Sequence, residues 1–101
     1  MAVTQELSAD GKALTISING RFDFAAHQEF RDAYERVDGK PQEYIINLAG
    51  ASYLDSSALG MLLLLRDHAG GDHSRVKLVN SSADVRKILA ISNFNKLFEI
   101  S

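Results

Sequence analysis

The chain has 101 residues, with 11 Lys and Arg against 13 Asp and Glu for a formal net charge of −2, and it has no cysteine. That length suits one domain, residues 1–101, whose core forms without covalent staples; the missing cysteines exclude disulfides, thiolate metal sites and a cysteine nucleophile. The charges are interspersed, which argues against nucleic acid as partner, and no stretch approaches the roughly 20 apolar residues of a membrane span, so the expectation is a cytoplasmic protein without direct membrane insertion.

The opening MAVTQELSADG lacks a basic segment leading into an apolar one, as a secretory leader would have. VTQEL and ALTISI alternate apolar and polar residues around SADGK, whose Asp10-Gly11 is a strong hairpin signal. Two antiparallel strands are expected, the second ending at Gly20. From Phe24 the apolar positions Ala26, Phe30, Ala33, Tyr34 and Val37 recur at helical spacing and close at Asp38-Gly39. YIINL, after the single proline Pro41, reads as a strand buried on both faces. AGASYL reads as a short turn into a second helix that stops at Gly70-Gly71. VKLV is a further strand, and Ser81 or Ser82 caps a last helix carrying Val85, Ile88 and Leu89, with Asp84 in its first turn. The tail NKLFEIS adds a short helix or an edge strand. Strands alternating with helices imply an α/β layer with a mixed sheet.

The second helix is unusual. Its start, YLDSSALGMLLLLRDHAG, sets Asp55, Ser56 and Ser57 directly before a leucine run. An Asp or Ser at that point caps a helix by accepting an orphan N–H, and capping is the simplest role for these residues. Yet three cap-type residues exceed what one helix terminus needs. At about 100° per residue, Leu62 through Leu65 sweep roughly 300° of the helix circumference, so they cannot all face one core. Either the helix is deeply sandwiched or it leaves an apolar strip beside the hydroxyls, and such strips mark contact sites.

YLDSSALGMLLLL resembles the signature of the STAS domain of bacterial anti-sigma factor antagonists, in which a strand leads into D-S-S/T-G-L-G and an apolar helix. The likeness extends over nearly the whole chain, through the hairpin start, the glycine followed by RFDF before the first helix, and the final strand and helix. It implies a single STAS-like α/β domain, a mixed sheet of four to five strands packed against about four helices. It implies phosphorylation of Ser56 by a serine kinase, opposed by a PP2C-type phosphatase, with Asp23, Asp55 and Ser57 as neighbours of the phosphosite. Ala58, Leu59, Met61, Leu62 and Leu65 are the expected partner-binding residues. Ala58 stands where the family usually has glycine, which places a hinge there in doubt.

Catalysis is not expected, nor any cofactor. His27, His68 and His73 lack a convincing set of metal-ligand partners, Ser56 lacks the G-x-S-x-G elbow of a hydrolase, and ADGKAL is only part of a nucleotide-binding pattern. Two functions remain open. One is a partner switch that, when dephosphorylated, binds an anti-sigma factor or related output protein and so releases a sigma factor. The other is a non-catalytic STAS accessory subunit of a membrane transporter.

Overall fold

The computed structural model describes residues 3–101; the first two residues of the expected domain lie outside them. The order is β1 (Val3–Leu7), β2 (Ala13–Phe22), α1 (His27–Glu35), β3 (Glu43–Leu54), α2 (Ser56–His68), β4 (Val76–Val79), α3 (Ala83–Ile91) and β5 (Glu99–Ile100). Single 3-10 turns at Phe24–Ala26, Gly71–His73 and Phe94–Lys96 complete it. The five strands form one sheet in sequence order. β1 is antiparallel to β2, and the remaining pairs are parallel. The sheet is therefore mixed, as expected, and the tail supplies both a 3-10 turn and an edge strand.

The hairpin forms where Asp10-Gly11 directs it, and side chains hold its loop. Ser8 Oγ donates to Asp10 at 2.6 Å and accepts from the Ala13 amide at 3.0 Å, while the Lys12 amide donates to Asp10 at 3.0 Å. α3 is capped by Ser82, whose hydroxyl accepts from the Val85 amide at 3.2 Å. Ser81, the other candidate cap, is instead buried.

Strand alternation corrects one expectation. Leu14, Ile16 and Ile18 of β2, Tyr44, Ile46 and Leu48 of β3, and Val76 and Leu78 of β4 are buried. Their neighbours Thr15, Ser17, Ile45, Asn47, Lys77 and Val79 keep contact with solvent. YIINL is thus covered on one face only. The topology explains this: each parallel step crosses over through a helix, and right-handed crossovers taken in one direction lay all three helices on the same side. Phe22, Phe30, Leu62, Leu65 and Leu89 fill the space between helices and sheet, each less than 2 % exposed. Full burial of such a side chain contributes about 1.5–3 kcal/mol.

The second correction concerns length. β2 continues past Gly20 to Phe22, and β3 absorbs AGASYL, the expected turn, to run 12 residues. Pairing passes from Ser17↔Asn47 to Asn19↔Gly50 and from Gly20↔Ala51 to Arg21↔Tyr53, so β3 carries an extra residue at each shift. These are bulges, which twist the strand and re-aim its side chains. Gly50 suits the first: a Cβ there would displace the exposed Asn19 side chain and meet the Ile18 carbonyl oxygen at 3.1 Å, tighter than ordinary contact. Past the bulges Ala51 and Leu54 are the buried positions, three apart rather than two. The result is a β2–β3 ribbon that ends side by side, with Phe22 paired to Leu54.

Candidate functional site

The ends of β2 and β3 set the site. Because Phe22 pairs with Leu54, Asp23 and Asp55 leave adjacent parallel strands at the same level, and the Asp55 amide donates back to the Phe22 carbonyl at 3.4 Å. Each aspartate caps a helical turn. Asp23 Oδ1 accepts from the Ala25 amide at 3.1 Å, ordering the 3-10 turn before α1. Asp55 is extended, with φ −107° and ψ −177°, and its Oδ1 accepts from the Ala58 amide at 2.9 Å as the N-cap of α2.

The two serines after Asp55 differ. Ser57 Oγ donates to Asp55 Oδ1 at 2.7 Å and is half-buried. Ser56, the first residue of α2, is exposed, and among the described residues its hydroxyl makes no hydrogen bond. The Ser57 hydroxyl, and then the Ala58 amide, hold the Asp55 carboxyl below its ordinary 3.8. One acid and one hydroxyl are thus used up by capping, and the second hydroxyl projects from the helix N-terminus, where an added anion meets unpaired N–H groups and the positive end of the helix dipole.

The expected partner-binding residues divide, and most are corrected. Ala58, Leu62 and Leu65 are 0 % exposed and Met61 is 7 %, so these four belong to the core rather than to a docking surface. Their spacing, i, i+3, i+4 and i+7, is the stripe a helix turns toward the layer it packs on. Leu59 is partly buried at the core's margin. The exposed leucines are Leu63, at 41 %, and Leu64, at 62 %. Seven residues advance a helix by two turns less about 20°, so Leu63 falls on the line running from Ser56 through Leu59 and Gly60. The apolar surface in line with the Ser56 hydroxyl is thus Leu63, with the half-buried Leu59 between them.

Three neighbours escaped the sequence reading. Phe24, 66 % exposed, stacks on His27 with ring centroids 4.5 Å apart. Tyr53 is also exposed and lies under the Arg21 guanidinium, which sits 4.6 Å from its ring centroid. Arg21 Nε reaches Asp23 Oδ2 at 3.5 Å. The available signal was RFDF itself, since apolar residues flanking a capping acid cannot all point inward. Among the described residues no helix is long and apolar enough to cross a membrane.

Comparison with known proteins agrees with this geometry. A family profile described as "Mlab, STAS domain" matches residues 6–99. A STAS-domain containing protein of Pseudomonas aeruginosa (strain UCBPP-PA14) is 66% identical over 101 residues, the full length of both chains. The phosphorylated form of the Bacillus cell fate determinant SpoIIAA has the same fold, with a TM-score of 0.74 at 22% identity, covering 99% of this chain and 91% of that one. So does the STAS domain of a SulP transporter from Vibrio cholerae, with a TM-score of 0.68 at 19% identity over 94% of this chain and 77% of that one.

Proposed function

Taking as premise that this chain belongs to the STAS-domain family, we propose that it is a phosphorylation-switched binding module with Ser56 as the modified residue. Dephosphorylated, it binds an anti-sigma factor or related output protein and so frees a sigma factor; a serine kinase and a PP2C-type phosphatase set the state of Ser56. The observation that carries the reading is the contrast between adjacent serines: Ser57 is bonded to the cap, and Ser56 is exposed. The likeness of the fold to SpoIIAA in both its unphosphorylated and phosphorylated forms supports it.

The physics favours a change of partner over a change of shape. A phosphoryl group adds about −1.5 to −2 charges at neutral pH. At a helix N-terminus that charge is accommodated, worth about 0.3–1 kcal/mol for a surface site, so the domain stays folded. Pressed into an interface beside Asp55 and Asp23, with Leu59, Leu63, Phe24 and Tyr53 supplying apolar contact, the same charge meets repulsion and desolvation. A penalty of about 3 kcal/mol weakens binding roughly a hundredfold.

The test compares affinity for the partner recovered by pull-down with Ser56→Ala, measured against Ser56-phosphorylated and unphosphorylated protein. A loss of about a hundredfold on phosphorylation is expected; equal affinities overturn the reading. The SulP domain's likeness keeps the transporter-subunit function as the other outcome, in which Ser56 carries no phosphate under any growth condition.

A further inference from the structure

The flank of the domain away from α2 holds a second feature. α1 packs on β1 and β2 on one side and on α2 on the other, so it separates this flank from Ser56. Between β1 and α1 runs a groove of about 320 Å³ lined by Val3, Thr4, Gln5, Glu29, Asp32, Ala33 and Arg36. Its α1 wall is one helical stripe, Glu29, Asp32, Ala33 and Arg36, at i, i+3, i+4 and i+7.

Its other wall is an open sheet edge. In an antiparallel pair, hydrogen-bonded residues alternate with non-bonded ones. The Ser8 amide donates to the Ala13 carbonyl at 2.8 Å, so by the register Glu6 and Thr4 also bond inward to Thr15 and Ser17. Val3 shares this phase but is only 5 % exposed, so it is Gln5 and Leu7 that turn open main-chain N–H and C=O groups outward. Among the described residues no strand pairs with them.

The groove also holds an unanswered charge. Glu29 Oε2 is buried and, among the described residues, accepts no hydrogen bond. Asp32 beside it is half-buried and already engaged, accepting from Gln28 at 2.9 Å and pairing with Arg36 at 3.4 Å. A buried carboxylate oxygen without a donor is costly, and a cation entering the groove removes that cost.

We propose that this groove is a docking site for an extended segment of a partner protein that adds a strand to β1 and places a lysine or arginine against Glu29. Main-chain bonds to Gln5 and Leu7 supply the pairing, and every second side chain of the added strand projects toward α1. A second copy of this chain is the poorer occupant. β1 carries Thr4, Gln5 and Glu6 and no cation, and the cation of the α1 stripe, Arg36, is paired with Asp32, so self-pairing brings no free cation to either Glu29. Because α1 stands between, docking here is independent of the state of Ser56.

The test titrates 15N-labelled protein with the peptide acetyl-Thr-Val-Lys-Val-Thr-amide at millimolar concentration and follows amide shifts and hydrogen exchange. Shifts and slowed exchange at Gln5 and Leu7 are expected, unchanged in Ser56→Ala. Glu29→Gln is expected to weaken binding about tenfold, the scale of one charge-assisted hydrogen bond. Gln5→Pro, which removes an outward donor at an edge strand that tolerates proline, abolishes it while leaving the remaining spectrum folded. The proposal is overturned if no β1 shifts occur, if a peptide with glutamate in place of lysine binds equally, or if sedimentation shows the edge filled by a second copy.

Discussion

The two faces of α2 both carry leucine and differ in burial. One carries Ala58, Met61, Leu62 and Leu65, sealed against the sheet; the other carries Ser56, Leu59, Gly60 and Leu63, open along its line to solvent in varying degree. The comparison teaches that an excess of leucine on a helix does not mark an interface. Which leucine is exposed is set by the phase that the cap imposes. Once Asp55 fixes where the first turn begins, every third and fourth residue from Ala58 is committed to the core, and the hydroxyl of Ser56 comes out on the far side together with whatever apolar residue stands two turns further on.

The largest effect that sharpens this contrast is on the buried face. Leu62→Ala removes a fully buried side chain and is expected to cost about 2–5 kcal/mol in denaturant unfolding. A loss below about 0.5 kcal/mol, the range of ordinary surface substitutions, would place Leu62 outside the core. Leu63→Ser, on the exposed face, is expected to change stability by less than about 0.5 kcal/mol while weakening partner binding. If it unfolds the protein as Leu62→Ala does, the two faces are not distinct.

The caps allow a finer test. Asp55→Ala loses the acceptor of the Ala58 and Ser57 bonds and is expected to lower the melting temperature by a few degrees, whereas Asp55→Asn keeps an oxygen in place and loses only the charge. The sign of the pH effect comes from the depressed carboxyl. Since Asp55 titrates below its ordinary 3.8 when folded, its contribution is fully present above that value and is lost as pH falls through the folded one. Asp55→Asn should therefore lower stability at neutral pH and flatten the acid end of the curve, converging with the parent below about pH 4; an unaltered acid slope in urea unfolding contradicts it. Smallest of all, Ser56→Ala should leave stability within about 0.5 kcal/mol of the parent, because Ser56 holds nothing in the fold.

Much of this was legible in the residues. Asp10-Gly11 announced the hairpin, helical spacing from Ala26 announced α1 although the helix ends at Glu35, short of Val37 and the expected close at Asp38-Gly39, and the Ser81-Ser82 pair and Asp55 announced their helices because capping is local chemistry. Gly70, with φ +122°, stops α2 near where the glycine pair predicts. The extension of β3 was not legible. Gly50 and its small neighbours read as a turn, and it is the pairing with Asn19 of another strand that makes glycine a strand residue there. One-sided burial of YIINL likewise depends on crossover handedness, which a single strand does not display. The residues 58, 61, 62 and 65 were picked out together in the sequence but assigned to a partner rather than to the core, because Leu63 and Leu64 carry the same apolar signal with the opposite exposure. The division of labour between Ser56 and Ser57 needed a single hydrogen bond, and no spacing rule supplies it.

The central claim is that the hydroxyl left out of the α2 cap is the one that carries the signal. Peptide mapping by mass spectrometry of protein isolated from its native cells, beside Ser56→Ala and Ser57→Ala, tests it most directly. Phosphate is expected on Ser56 in the parent and in Ser57→Ala, and none in Ser56→Ala. Phosphate on Ser57, or a phosphorylated Ser56→Ala protein, would contradict it.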